Sequence, residues 1–443
     1  MRSITQKQYL KLAIPFTLST VTQPLLGAVD TAVVGRLDSP AFIGGVAVGT
    51  VIFNTLYWLF GFLRVATSGF AAQSLGENRS ADLALSWLRP LAMAAGVSLV
   101  FLLGQGLILR GAMAIYNTGP DVAAHAAAYF NILIWGAPLV LIGYVNLGWL
   151  MGRSRVREVL MLQVGTNSLN ILLDVVFVMG FHWGVAGVAA ATLISQAAGF
   201  VLGLYLVLKQ MPIHVLAAHF KRVFEPGPMK KLAAVNRDLF IRTACLLTMT
   251  NIFVARGSSM GTEVLAANAI LFQVQYMMAY LFDGLANAAS VFSGRFAGAG
   301  DVGGFRQTRS VAHVSLAGLG LLLGAGLVFL GQPLVRLFTD IQPVLALCDQ
   351  YLFYLLLFIP AMTPGLVYAG FYIGATWSPP IRNSLVLALA VFLVADALLV
   401  HRFGNHGLWI AFILFCAVRS AVLALSWKRL VKEAFSSREA GLC

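Results

Sequence analysis

Charge is scarce in this chain of 443 residues, because only 11% of them are Asp, Glu, Lys or Arg. An ordinary soluble domain carries roughly 25% charged residues, so this sequence cannot cover a surface that faces water. The hydrophobic content of 59% excludes a disordered protein. With four cysteines and no zinc-ligand spacing, the chain is also neither a disulfide scaffold nor a predicted metal protein.

Long apolar runs fill the sequence and are separated by short polar breaks. A helix that crosses a bilayer needs about 20 apolar residues. The sequence therefore predicts an all-α membrane protein with twelve transmembrane helices. The predicted spans are 9–35, 42–75, 87–109, 123–150, 158–180, 184–208, 238–256, 263–294, 310–336, 350–374, 382–400 and 405–427.

The basic residues are distributed unevenly between the two sets of loops. If the N-terminus is cytoplasmic, most Lys and Arg residues, including Arg419 in the last span, are assigned to the cytoplasmic side. The positive-inside rule then places both termini in the cytoplasm, and we expect a bacterial inner membrane. The net charge of +13 is thus an orientation signal beside anionic lipid, and not a nucleic-acid footprint.

The sequence contains an internal repeat with an offset of about 222 residues. Gly148 corresponds to Gly370, and Asp174 corresponds to Asp396. Near the start of each half, the segment beginning at Asp30 corresponds to the one beginning at Asn251. We predict an N-terminal lobe over 1–208, a cytoplasmic linker over 209–237 and a C-terminal lobe over 238–443. Six spans per lobe make the two bundles pseudo-symmetric parallel repeats, a geometry that suits alternating access.

Two acidic residues lie deep in predicted spans, Asp30 in the first and Asp174 in the fifth. Ionisable side chains are costly inside a bilayer, so each is a candidate functional group. Asn170 precedes Asp174 by four residues and shares its helix face. We expect the three side chains to form one polar pocket in the N-terminal lobe.

Two carboxyl groups in such a pocket can carry a proton. Burial and a like-charged neighbour both disfavour the ionised form, and the pair titrates as one unit. Sodium at Asp30, Asn170 and Asp174 is the alternative, since these side chains offer the hard oxygen ligands that sodium prefers. The competing structural interpretation is that the acids only fix helix packing.

Further residues are candidates for supporting roles in transport. Pro15 removes a helix hydrogen bond, so it favours a bend in the first span that could couple protonation to helix shape. The competing interpretation is a static kink. The candidate cavity-lining residues are Tyr144, Asn146, Arg64, Asn251, Met277 and Asp283.

Four segments resemble the multidrug and toxic compound extrusion (MATE) family, and most of all its DNA-damage-inducible branch. They are AIPFTLSTVTQPLLGAVDTAVVGRLDSPAFIGGVAVGT, NILLDVVFVMGFHWGVAGVAAAT, NRDLFIRT and FDGLANAAS. The resemblance implies two six-helix lobes around a V-shaped cavity, and export of organic, often cationic, compounds against a proton or sodium gradient. It makes Asp30, Asn170 and Asp174 the N-lobe coupling site and Pro15 the bending proline of the first helix.

The resemblance also favours coupling in the N-terminal lobe. The seventh span offers Asn251 where other branches carry an acid, and the tenth span has no acid.

Three further hypotheses compete with a proton-coupled drug antiporter. The first is a sodium-coupled antiporter. The second is a flippase for lipid-linked precursors, which requires a more cationic cavity than Arg64 provides. The third is a membrane enzyme, which needs a nucleophile–base pair or a metal cluster that the spans do not offer. We therefore predict a monomeric carrier that is not an enzyme, needs no cofactor besides an ion gradient, binds small organic molecules and lipid, and binds no nucleic acid.

Overall fold

The computed structural model describes the backbone of residues 4–34, 40–78, 80–116 and 119–439. Side chains are described over the same ranges except 21–34, 40 and 436–439. No strand occurs in this described part of the chain.

One long helix corresponds to each of the twelve predicted spans. Among the described residues, eleven helices are long and apolar enough to cross a membrane, and the first helix is 29 residues long. The all-α membrane fold is therefore confirmed. The helices are α1 Gln6–Val34, α2 Ala41–Glu77, α3 Ser80–Tyr116, α4 Pro120–Gly152, α5 Val156–Gly180, α6 Gly184–Gln210, α7 Pro226–Ser259, α8 Thr262–Ala299, α9 Val302–Arg336, α10 Phe353–Gly374, α11 Pro379–Phe403 and α12 Asn405–Leu425.

Three shorter helices lie outside these spans, at Ile213–His219, Gln342–Tyr351 and Trp427–Glu439. Local chemistry explains several helix ends. Pro120 and Pro379 begin α4 and α11, where a missing backbone N–H costs nothing. Asp301 caps α9, because its carboxylate accepts a hydrogen bond from the Gly304 N–H at 2.8 Å.

The chain divides into two compact units. The N-terminal unit is Val21–Ala233, and the C-terminal unit combines Met1–Thr20 with Ala234–Cys443. The boundary between them falls inside α1. The start of α1 packs on α8, since the Tyr9 hydroxyl donates to the Leu285 carbonyl at 2.6 Å and the Thr17 hydroxyl to Leu281 at 3.3 Å. The lobe boundaries expected from the sequence stay a prediction.

The internal repeat recurs in the helix contacts. A Cβ atom added at Gly148 would lie 2.3 Å from the Arg64 carbonyl oxygen, and one at Gly370 would lie 2.2 Å from that of Ala286. The two contacts are equivalent, because Gly370 follows Gly148 by 222 positions and Ala286 follows Arg64 by the same 222 positions. Each half therefore brings two helix backbones together at a glycine, as membrane helices commonly do. The next turn repeats this contact, at Gly152 on Ser68 and at Gly374 on Ser290.

A short π-helical turn occurs at equivalent places in both halves. In α5 it covers Val175–Gly180 and directly follows Asp174. In α11 it covers Asp396–Val400 and begins at the matching acid. Such turns are rare and often accompany functional sites, so the two acids occupy a special position of the backbone in each half.

Candidate functional site

Helix α5 carries Asn170 and Asp174 on its buried face. Leu162, Asn170 and Asp174 are buried, whereas Leu172 is 59% exposed. A polar residue that faced lipid would be costly, so polar side chains in membrane helices turn towards protein. Asn170 and Asp174 thus lie within the N-terminal unit, as expected from their spacing.

The inner face of α5 places an amide one turn from a carboxyl group. Asp174 is 1% exposed and Asn170 is 4% exposed. In the described part of the chain, the amide nitrogens of Asn170 and Asn167 have no hydrogen-bond acceptor. Buried donors without acceptors are costly. A ligand or ion that brought oxygen atoms to this face would relieve that cost.

Close packing of α6 on α4 and α5 holds this face in place. A Cβ at Gly199 would lie 2.6 Å from the Thr166 hydroxyl, and one at Gly203 would lie 3.2 Å from the Asn146 amide nitrogen. Asn146 is fully buried, and its oxygen accepts the Trp87 indole N–H at 2.9 Å. Asn146 therefore has a structural hydrogen bond, and its role in lining a cavity stays a prediction.

Two other candidate residues lie on α2 and α4. Arg64 is partly buried and lies near enough to Tyr144 to act on its hydroxyl electrostatically. Tyr144 in turn lies within electrostatic range of Tyr57, and both tyrosines are partly buried. These residues form a polar group in the N-terminal unit that is separate in sequence from Asn170 and Asp174.

Of the two candidates on α1, the structure describes the side chain of Pro15 but not that of Asp30. The Asp30 side chain lies outside the described residues, so its predicted place beside Asp174 stays a prediction. Pro15 is partly buried within α1. Residues on both sides of it, Tyr9 and Thr17, donate hydrogen bonds to α8 carbonyls.

The candidates in the C-terminal unit do not share one environment. Asn251 on α7 is exposed, and Met277 on α8 is 43% exposed. Asp283 on α8 is partly buried and interacts electrostatically with Arg419 on α12. Arg419 itself is only 1% exposed. The sequence analysis placed Arg419 with the cytoplasmic charges, but its side chain is buried in the C-terminal unit.

The acid of the C-terminal repeat is held by an ion pair. Arg256 at the end of α7 donates to Asp396 Oδ2 from Nε at 3.0 Å and from Nη2 at 2.9 Å. The Asp396 side chain is 5% exposed and that of Arg256 is 48% exposed. The sequence supplied both residues but no signal that joined them, since they are 140 positions apart.

The linker forms hydrogen bonds with Arg89 near the start of α3. Arg89 on α3 donates to Glu225 Oε2 at 2.8 Å and also to the Val223 carbonyl at 3.3 Å. The hydrogen bond from Arg222 to Glu225 Oε1, at 2.8 Å, lowers the pKa of Glu225 below its ordinary value, and the Arg89 charge lowers it further. The linker therefore has an ordered anchor on the N-terminal unit.

Comparison with known proteins gives one consistent family. The MatE family model matches residues 15–176 and 239–399. DNA damage-inducible protein F of Escherichia coli K12 is 34% identical over 418 residues, which are 94% of this chain and 91% of that protein. Protein DETOXIFICATION 44, chloroplastic, of Arabidopsis thaliana is 27% identical and covers 95% of this chain and 81% of its own length.

Solved structures show the same fold at low sequence identity. A MATE crystal structure in the straight conformation has a TM-score of 0.86 and 18% identity, covering 97% of this chain and 96% of that one. A MOP superfamily transporter from Pyrococcus furiosus has a TM-score of 0.84 and 16% identity, covering 98% and 99%. At such identities the likeness concerns the fold alone.

Proposed function

This chain belongs to the MatE family of membrane transporters, the multidrug and toxic compound extrusion proteins, and we propose that it is a secondary active, proton-coupled drug antiporter. In this proposal it exports amphipathic or cationic organic compounds by alternating access. Protonation of carboxyl groups in the N-terminal unit drives the exchange. The proposal places the carrier in the bacterial inner membrane as a monomer, with both termini in the cytoplasm and no bound cofactor.

The observation that carries the proposal is the burial of Asp174 on one face with Asn170. An acid in this position pays a large desolvation cost when it is ionised, so a proton or a cationic ligand stabilises it. The two ligands compete for the same negative charge. Proton binding from the outside then favours release of a cationic drug, and drug binding from the cytoplasm favours proton loss.

The π-helical turn after Asp174 supplies a place where this exchange could alter the backbone. Its hydrogen bonds follow a different register from those of the α-helix before it. A change of charge at the junction therefore acts where the helix is least regular. In the same proposal, Pro15 lets α1 bend while its first turns stay hydrogen-bonded to α8.

Sodium is the second candidate for the coupling ion. Asn170 lies one turn from Asp174 and offers a neutral amide oxygen beside carboxylate oxygens, which is the ligand chemistry of a hard cation. A flippase for lipid-linked precursors remains the third candidate, and it requires cationic side chains around the substrate beyond Arg64. The imposed ion gradient in a transport assay separates the first two candidates.

The test is export by the purified protein in proteoliposomes with imposed pH or sodium gradients. We expect a pH gradient to drive transport of a cationic dye, and a sodium gradient at constant pH to have no effect. Asp30→Asn and Asp174→Asn should abolish the driven transport. Asp396→Asn is the matched control, because it alters the equivalent buried acid in the other half. Transport driven by sodium alone, or full transport in Asp174→Asn, would contradict the proposal.

A further inference from the structure

Arg419 is a buried cation, and no carboxylate among the described residues forms an ion pair with it. It is 1% exposed and ranks among the largest fully buried side chains of the described chain. It lies in α12, six residues before the helix ends at Leu425. A charge that is removed from water and left uncompensated in a membrane protein is costly, and it marks a functional site more often than a structural one.

The contacts of Arg419 use only part of its guanidinium group. Its Nη1 atom lies 3.4 Å from the Met362 sulfur, which is a weak acceptor. Its Nε and Nη2 atoms have no acceptor among the described residues. Asp283 acts on it electrostatically, but it forms no ion pair with Arg419 in the described part of the chain. Arg242 adds a second positive charge to the neighbourhood.

The unused atoms define which ligand fits. Nε and Nη2 form one edge of the planar guanidinium group, the edge that grips a carboxylate with two parallel hydrogen bonds. Arg256 in the same unit uses this edge to hold Asp396. The equivalent edge of Arg419 has no acceptor in the part of the chain that the structure describes, so its geometry fits a carboxylate or a similar oxyanion.

The helix that packs on Arg419 contains two prolines. Pro360 and Pro364 lie within α10, on either side of Met362. Prolines remove backbone hydrogen bonds and weaken the helix locally. The Ser420 hydroxyl replaces part of this bonding, because it donates to the Ala361 carbonyl at 2.6 Å and accepts the Gly365 N–H at 2.9 Å. Movement of this turn would uncover the Arg419 edge beside it.

We propose that Arg419 binds the carboxylate of a transported compound, so that the carrier takes zwitterionic compounds as well as cations. This inference rests on the proposed export function and names a part of its substrate range. The predicted orientation puts Arg419 in the cytoplasmic third of α12, on the side from which compounds are captured. A free inorganic anion offers the same oxyanion chemistry, and the experiment below separates the two sources.

The experiment compares a cationic xanthene dye that has a free benzoate group with its methyl ester. Both dyes carry the same cation, and only the first offers an oxyanion. We expect Arg419→Gln to lower the ratio of acid to ester transport in proteoliposomes by about tenfold or more, the effect of losing a charged hydrogen-bonded pair. Arg419→Lys keeps the charge without the two-bond edge, so it should give a smaller fall. Arg402→Gln, an exposed arginine, should leave the ratio unchanged.

Binding to purified protein provides a second measurement that needs no gradient. Quenching of dye fluorescence should show tighter binding of the acid dye than of the ester in the wild type, and this preference should vanish in Arg419→Gln. If that variant does not fold, as judged by size-exclusion chromatography, Arg419→Lys answers the same question.

An unchanged acid-to-ester ratio in a folded variant would overturn the inference. Chloride or phosphate could instead protect the wild type, but not Arg419→Gln, from thermal unfolding. If this occurred without any preference for the acid dye, the Arg419 edge would be assigned to an inorganic anion, and the inference would also be overturned. Failure of proton-driven ester export would refute the proposed function instead, while the binding preference would still test Arg419.

Discussion

Asp174 and Asp396 occupy equivalent places in the two halves but have different roles in the proposed mechanism. Asp174 directly precedes a π-helical turn, Asp396 begins one, and both acids are buried. Asp396 is neutralised by Arg256, a group that stays charged at any physiological pH. The same backbone feature accompanies a fixed ion pair at Asp396, and in the proposed mechanism it accompanies an exchangeable proton at Asp174.

The largest expected effect comes from removing the exchangeable acid. Asp174→Asn should reduce proton-coupled dye export to the level of empty liposomes, because an amide cannot bind and release a proton. Asp396→Asn should retain export, since Arg256 already prevents that acid from cycling. Dye export coupled to internal pH, followed in the same vesicles, measures both. Equal loss in the two variants would remove the distinction between the halves.

A smaller effect on stability is expected from breaking the fixed pair. Arg256→Gln leaves a buried carboxylate unpaired, and we expect a cost of about 1–3 kcal/mol, below the full value for a buried pair because Arg256 is half-exposed. Thermal unfolding in detergent checks this. The double variant Arg256→Gln with Asp396→Asn should regain most of the loss. No gain on adding the second change would contradict the pair's role.

The glycine contacts should respond alike, because they are shared by the two halves. Gly148→Ala and Gly370→Ala each push a Cβ atom against a backbone oxygen, at 2.3 and 2.2 Å. We expect each to destabilise the protein by about 1–3 kcal/mol, typical of overpacking. Gly143→Ala, where the added atom meets nothing within 4 Å, is the control. A clear difference between the two halves would show that the repeat contacts are not equivalent.

The smallest expected effect concerns the linker, which lies between the two halves and has no counterpart in the internal repeat. Ionised Glu225 stabilises the linker through its contacts with Arg222 and Arg89. This contribution is fully present at a pH above the ordinary glutamate pKa of about 4.3, and it is lost as the pH falls through the lowered pKa of Glu225. At neutral pH, Glu225→Gln should speed hydrogen exchange around Val223, corrected for intrinsic rates. As the pH falls through the lowered pKa of Glu225, the variant and the wild type should converge. A difference that persists in acid would assign the anchor to other contacts.

The sequence predicted the helices well because a bilayer imposes its thickness on them. A helix must satisfy its own backbone in lipid, so span length and hydropathy suffice to find it. The buried positions of Asn170 and Asp174 followed from helical spacing alone. The burial of Arg419 did not, because an arginine near a helix end is indistinguishable in sequence from a loop cation.

The features that sequence analysis missed depend on tertiary contacts. The π-helical turns change the hydrogen-bond register of the backbone without changing the hydropathy of the residues, so no sequence pattern predicts them. The pairing of Arg256 with Asp396 joins distant helices. The start of α1 packs in the C-terminal unit through hydroxyl groups that donate to α8 carbonyls, as Thr17 does to Leu281. Such bonds leave no periodic signal in the sequence.

The most direct test of the account is infrared difference spectroscopy of the purified protein as a cationic substrate binds. We expect the band of a protonated carboxyl group to weaken on substrate binding in the wild type. Asp174→Asn should remove a large part of this change, and Asp396→Asn should leave it intact. A substrate-sensitive carboxyl band that survives in Asp174→Asn at full strength would contradict the claim that this acid carries the exchangeable proton.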